Sequence, residues 1–291
     1  MDTRLKNGKL TLTVSSKGAE IKSLIKSGRE VMWSGNPAYW SRTAPVLFPF
    51  VGASRGKKYR VGGAEYPMGQ HGFARDEEFE LVRKSQDQLV YELKDTEKTR
   101  SIYPFSFILR IEYTLTSSAV GVRYEVTNPS GTPLYFSIGG HPAFVCPFDA
   151  EGGEDYKLRF MKEGLPVSAL YSCPVTEEGL IRAEAFPVEC PDGYLVPSRK
   201  LFLGDALVLE EQQADRVSLI GPDGEYLRVD FDTPVLGIWS PKGLDAPFVC
   251  IEPWYGRADG DTFEGDITEK AYGNVLNGGE TFGGGYTITV L

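Results

Sequence analysis

Phe105-Ser106-Phe107-Ile108-Leu109-Arg110-Ile111-Glu112-Tyr113-Thr114-Leu115 is apolar at every second position, and the alternation restarts at Val120 and continues through Val122, Tyr124 and Val126. A period of two puts successive side chains on opposite faces of an extended chain, so both runs read as strands with one face buried. The same pattern occurs at Leu10-Leu12-Val14 and at Leu134-Phe136-Ile138, and the C-terminal Tyr286-Thr287-Ile288-Thr289-Val290 reads as a further strand. Residues 216–231 read as a hairpin, with Val217 and Leu219 on one arm, Leu227, Val229 and Phe231 on the other, and Gly221-Pro222-Asp223-Gly224 as the turn. Helical signals are weak, because 33 glycines and 19 prolines punctuate the chain and no long stretch keeps a 3.6-residue period. The expectation is an all-β protein, a large antiparallel β-sandwich. Strands continue across every candidate boundary without linker or repeat, so residues 1–291 are expected to form a single domain, with 149–200 irregular and rich in turn residues.

Composition narrows the partners. The chain has 41% hydrophobic and 24% charged residues, ordinary for a globular protein, and a net charge of -9 with no dense Lys/Arg face, which argues against nucleic acid. No stretch approaches the roughly 20 apolar residues that span a bilayer, and the first residues lack the apolar core of a signal peptide. Cys146, Cys173, Cys190 and Cys250 are far apart and form no Cys-x-x-Cys, so they read as free thiols. A cytoplasmic protein acting on a small molecule is expected.

The chain has two histidines, each in a glycine-flanked segment: Gln70-His71-Gly72-Phe73-Ala74-Arg75 and Gly139-Gly140-His141-Pro142-Ala143-Phe144. Glu252 interrupts the apolar run Phe248-Val249-Cys250-Ile251 and precedes Pro253-Trp254. The residue before proline is pushed out of the α region, so Glu252 should be extended at a strand end, and burial would raise its pKa into the range of a general base. The alternative is a strand-end carboxylate in solvent or paired with Arg257. His141 should stand at a sheet rim, where it can serve as a general acid or be a turn histidine bonded to a carbonyl. His71, Phe73 and Arg75 offer a donor, an aromatic face and a guanidinium within five residues, a set suited to a polar ring-shaped ligand.

Other matches are weaker. Gly52-Ala53-Ser54-Arg55-Gly56 fits the nucleophile elbow G-x-S-x-G, but basic and glycine-rich residues follow where a helix is needed, and no histidine lies near the C-terminus. The same segment lacks P-loop spacing. Asp259, Asp261, Glu264 and Asp266 lack EF-hand spacing and read as a solvated turn. His71, His141 and Glu252 could together hold zinc, but nothing resembles His-Glu-x-x-His, and no metal ligand is assigned.

Taken together, Ala44-Pro45-Val46-Leu47-Phe48-Pro49-Phe50-Val51-Gly52, the two histidine segments, Asp205-Ala206-Leu207 and Glu252-Pro253-Trp254 resemble the aldose 1-epimerase (galactose mutarotase-like) family, in detail its LacX-like branch. The resemblance runs nearly end to end and implies a large β-sandwich. It implies that Glu252 is the general base and His141 the general acid of sugar anomerisation, with no cofactor or metal. It further implies that His71 and Asp205 bind the sugar, that Arg75 or Arg55 supplies charged donors, and that Trp254, Phe73 and Trp239 are candidates for apolar walls. The substrate would be a free aldose or a hexose 6-phosphate, and the protein a monomer or homodimer. A sugar-binding or sensor protein without catalysis on the same fold is the alternative.

Overall fold

A computed structural model of the chain describes residues 1–148 and 155–291. The strands fall mainly into antiparallel sheets of ten, six and four strands among the described residues. Ile108–Leu115 and Ala119–Thr127 lie at the centre of the largest sheet, paired from Ile108 with Thr127 to Leu115 with Val120. Leu109, Ile111, Tyr113 and Leu115 are buried together with Val120, Val122, Tyr124 and Val126, as the alternation requires. The C-terminal strand, Thr281–Val290, lies between Ala119–Thr127 and the hairpin arm Gly224–Phe231. That hairpin, Arg216–Gly221 with Gly224–Phe231, closes at the expected turn with Gly221 opposite Gly224. The four-stranded sheet begins Asp2–Lys6 and Leu10–Ser15, and its Leu10, Leu12 and Val14 join the same apolar cluster.

Two expectations need correction. Leu134 to Ile138 is not one strand: Leu134–Phe136 and Ile138–Gly140 are separate, because Ser137 turns aside to accept the Val51 N–H on its hydroxyl at 2.8 Å. The tract 149–200 lies partly outside the described residues, at 149–154, and its remainder is more regular than its turn residues suggest. It carries Lys157–Lys162, which adds to the edge of the large sheet, and the ribbon of Ala169–Ser172 with Phe186–Glu189. Helix is confined to short turns among the described residues, such as Glu97–Arg100, and none is long and apolar enough to cross a membrane.

The six-stranded sheet positions the site. Its order runs Leu207–Leu209, Val235–Trp239, Phe248–Tyr255, Ile138–Gly140 and Val46–Leu47, with Ala143–Val145 also pairing Phe248–Tyr255. Its inner face, with Leu207, Leu236, Ile238, Val249 and Ile251, belongs to the main core. The residues between these in sequence point the other way.

Candidate active site

Ile138 pairs with Tyr255 and Gly139 with Trp254, while Ala143 pairs with Cys250 and Val145 with Phe248. One register runs through all these pairs, so His141, in the gap between the two short strands, stands directly across from Glu252. On the other side Glu252 pairs with Gly237, and Gly237 with Val208. Cross-strand neighbours share a face, so backbone pairing itself aims His141 and Glu252 at one spot. The His141 N–H continues the row by donating to the Pro45 carbonyl at 3.1 Å.

Glu252 is therefore in mid-strand rather than at the expected strand end. Proline is tolerated beside it because Pro253 faces the break around His141 and Pro142, where the neighbouring ladder is already interrupted. Arg257 does not neutralise Glu252; its Nε lies 2.8 Å from Glu210 Oε1. The group that reaches Glu252 is His141, with Nε2 3.2 Å from Oε2 and both side chains buried. Burial pushes the Glu252 carboxyl well above its ordinary pKa, the charge of Asp205 adds to this, and the Trp254 indole N–H opposes it. Burial lowers His141 to about 3, its own backbone carbonyl opposes the shift, and Arg75 and Arg42 add to it. Both shifts act in the same sense, each disfavouring the charged form of its group. Glu252 Oε2 and His141 Nδ1 have no hydrogen-bond partner.

His71 adopts φ +65°, and this left-handed backbone brings its N–H to the Gly52 carbonyl at 2.8 Å. The Gly52 N–H returns a bond to His71 Nδ1 at 3.1 Å. A backbone amide can only donate, so Nδ1 is the acceptor and the neutral ring carries its proton on Nε2. Burial, followed by His141 and Arg75, keeps His71 well below its usual pKa. Its ring meets that of His141 edge-on at 5.7 Å.

These groups open on a cavity of about 280 Å³ that Arg75, Asp205, Trp239 and Trp254 also line. Asp205 sits at φ +77° and spends one oxygen on the Ala206 N–H at 2.8 Å. The Trp254 indole lies in a slot between two glycines: a Cβ on Gly139 or on Gly237 would come within 2.6 Å of it. Arg75 donates to the Gln70 carbonyl at 2.7 Å, its Nε has no hydrogen-bond partner and lies 4.0 Å from Asp76 Oδ2, and burial lowers it to about 10.

The structure does not bring every expected residue here. Arg55 lies outside the cavity, its guanidinium bound to Glu264 at 2.7 Å. Phe73 turns into the core against Tyr103 and Phe107, each 6.1 Å away. Ser54 is followed by the single turn Arg55–Lys57 and then by strand Lys58–Val61, so no elbow helix exists. Asp259 is not solvated: it is 6% exposed and forms an ion pair with Lys270.

Two residues escaped the sequence reading. Trp40 stacks on His141 at 4.8 Å and 27°, and meets Trp239 at 5.5 Å. Arg42 bonds Asp76 at 2.8 Å near Arg75. Their loop is held by buried Glu20, whose Oε1 accepts the N–H groups of Thr43 at 2.6 Å and Ala44 at 2.9 Å. No motif marks it; the closeness of Trp33 and Trp40 in an otherwise polar stretch is the available signal.

Large antiparallel sheets, with a buried histidine–glutamate pair on the outer face of one of them, give this chain a galactose mutarotase-like fold. The chain superposes on the X-ray structure of a galactose mutarotase related enzyme from Lactobacillus acidophilus with a TM-score of 0.92 at 34% identity, covering 100% of this chain and 97% of that one. It superposes on a galactose mutarotase-like protein from Lactobacillus casei with a TM-score of 0.91 at 29% identity, covering 100% of both. It is 34% identical to protein LacX of Lactococcus lactis over 92% of each chain, and the sequence profile named Aldose 1-epimerase matches residues 1–260. The chain belongs to the aldose 1-epimerase family.

Proposed function

We propose that this protein is a cofactor-independent aldose 1-epimerase that interconverts the α and β anomers of a hexose or related sugar. The observation that carries this reading is the His141–Glu252 pair: two buried groups capable of proton transfer, 3.2 Å apart and aimed into one cavity. Anomerisation moves a proton from the anomeric hydroxyl to the ring oxygen. Both oxygens are attached to one carbon, so the acid and base must converge on one place.

In the reacting tautomer Glu252 is the carboxylate and His141 the imidazolium, reached by proton transfer across the pair. Glu252 takes the hydroxyl proton while His141 gives one to the ring oxygen, and the C–O bond to the ring opens. The pair still holds one proton. After rotation of the aldehyde, Glu252 returns its proton to the carbonyl oxygen, His141 recovers one from the ring-derived hydroxyl, and the ring closes on the other face. His71 Nε2–H donates to a sugar hydroxyl, Asp205 accepts from hydroxyls, and Trp254, Trp239 and Trp40 face the sugar's C–H surface.

The apolar core draws residues from Leu5 to Val290, which supports reading residues 1–291 as one domain. Four buried cysteines, all unpaired, favour the reducing cytoplasm. A second reading has specific support: Arg75 lines the cavity with its Nε lacking a hydrogen-bond partner and Arg42 beside it, which favours a sugar with an anionic substituent such as a phosphate. Optical rotation or anomeric proton signals of fresh α-glucose, α-galactose and glucose 6-phosphate discriminate these readings. Acceleration lost in Glu252→Gln supports the epimerase. Tight sugar binding with no acceleration would instead identify a sugar-binding protein.

A further inference from the structure

The mechanism leaves one nearby group unused. Cys250 precedes Glu252 by two residues on the same strand, so both side chains project from the same face, and Cys250 pairs with Ala143 on one side and Trp239 on the other. Its thiol is fully buried and unpaired. One ligand atom from each of His141, Cys250 and Glu252 lies within 4.8 Å of the others.

The geometry points to a binding site for a thiophilic divalent cation, zinc or cadmium, formed by His141 Nε2, Cys250 Sγ and Glu252 Oε2, whose occupation shuts the catalytic pair down. The ligand chemistry is that of zinc: one imidazole, one thiolate and one carboxylate, with a fourth position left open toward the cavity. In a tetrahedral site with bonds of about 2.0–2.3 Å the ligand atoms stand roughly 3.3–3.6 Å apart. His141 and Glu252 already meet that spacing at 3.2 Å. Cys250 needs to approach by about 1 Å, within reach of a side-chain rotation. A second observation also points to a ligand: Glu252 Oε2 is buried and has no hydrogen-bond partner. The cation displaces two protons to solvent, that of the Cys250 thiol and that of the His141–Glu252 pair, and occupies the nitrogen and oxygen that would exchange protons with the sugar. The inhibitory role rests on the epimerase reading; the binding role does not.

Magnesium serves as the control, because it prefers oxygen ligands in octahedral geometry. The experiment uses the full chain in two assays. In the first, cadmium is titrated while the thiolate-to-metal absorption in the ultraviolet is followed, a readout independent of any sugar. The expected result is one equivalent bound by wild type and no band in Cys250→Ala or Cys250→Ser, with Cys173→Ala behaving as wild type. In the second, zinc suppresses anomerisation by wild type while magnesium does not, and Cys250→Ala keeps basal activity but needs at least ~10–100-fold more zinc for the same inhibition. Absence of the wild-type band, its persistence in both Cys250 variants, or saturation by cation with activity unchanged would each overturn the proposal. If no sugar is turned over, the cadmium band still decides the site, so failure of the epimerase reading is recognised separately.

Discussion

Two buried acid–base contacts in this molecule have similar burial and opposite character. Lys270 and Asp259 form an ion pair with side chains 6% and 4% exposed, and its neighbours complete it: Asp259 Oδ2 accepts the Arg55 N–H at 2.9 Å, and the Lys270 ammonium lies over the Phe50 ring at 5.0 Å. His141 and Glu252 are as deeply buried, but each keeps an atom without a hydrogen-bond partner. A contact whose bonding is filled holds the fold in place. One left partly open retains free energy that a ligand can claim.

The comparison breaks most easily at its reactive side. Glu252→Gln should lower kcat/KM for the responsive sugar by about 10²–10⁴-fold with little loss of thermal stability, measured by polarimetry and melting; His141→Asn should do the same. A large fall in melting temperature with modest loss of rate would erase the distinction. Lys270→Met is the converse case. It strands the Asp259 carboxylate and should cost about 3–5 kcal/mol in denaturant unfolding, while the surviving folded fraction keeps its rate.

A pH titration sharpens the contrast. The unfolded chain binds protons on His141 and His71 below pH ~6.5, whereas the folded chain holds His141 at about 3 and His71 well below its usual value. Stability contributed by the neutral imidazoles is therefore present above the unfolded pKa and lost as pH falls below it. Glu252 acts in the opposite direction: its raised pKa makes the folded state lose stability as pH rises above the ordinary carboxylate range. Between pH ~7 and ~5.5 the change of unfolding free energy with pH should become less positive in His141→Asn, and less positive again with His71→Asn added, moving toward the opposite trend set by Glu252. An unchanged slope would mean that the imidazoles are not held neutral. A smaller effect is expected at Trp40: Trp40→Ala removes a stack worth about 1 kcal/mol and should slow turnover roughly fivefold. Arg55→Ala, outside the cavity, should leave kinetics within about twofold.

Legibility followed from how each strand meets water. Ile108–Leu115 has one wet and one dry face, so alternation declared it. Phe248–Tyr255 is buried on both faces for seven of its eight residues, so no period marks where it begins or ends, and the Glu252–Pro253 step looked like a terminus. His141, His71 and Asp205 were legible because the first two are the chain's only histidines and all three belong to recognisable segments. Phe73 was misplaced because nearness in sequence to His71 was taken for nearness in space, whereas its ring packs against Tyr103 and Phe107; Arg55, offered by the resemblance alone, is held outside the cavity by Glu264. Trp40 and Arg42 reach the site by a loop held through Glu20, a tertiary contact that local sequence does not encode.

The shared register of His141 and Glu252 also bears on how such a protein can diversify. Their spacing belongs to the sheet ladder, whereas Trp40, Arg42 and Asp205 come from the surrounding loops and strand ends. Loops tolerate exchange far better than ladders do. The pair can therefore stay fixed while the walls around it are rewritten, so that, on the proposed function, a new sugar can be accepted without the proton chemistry having to be invented again.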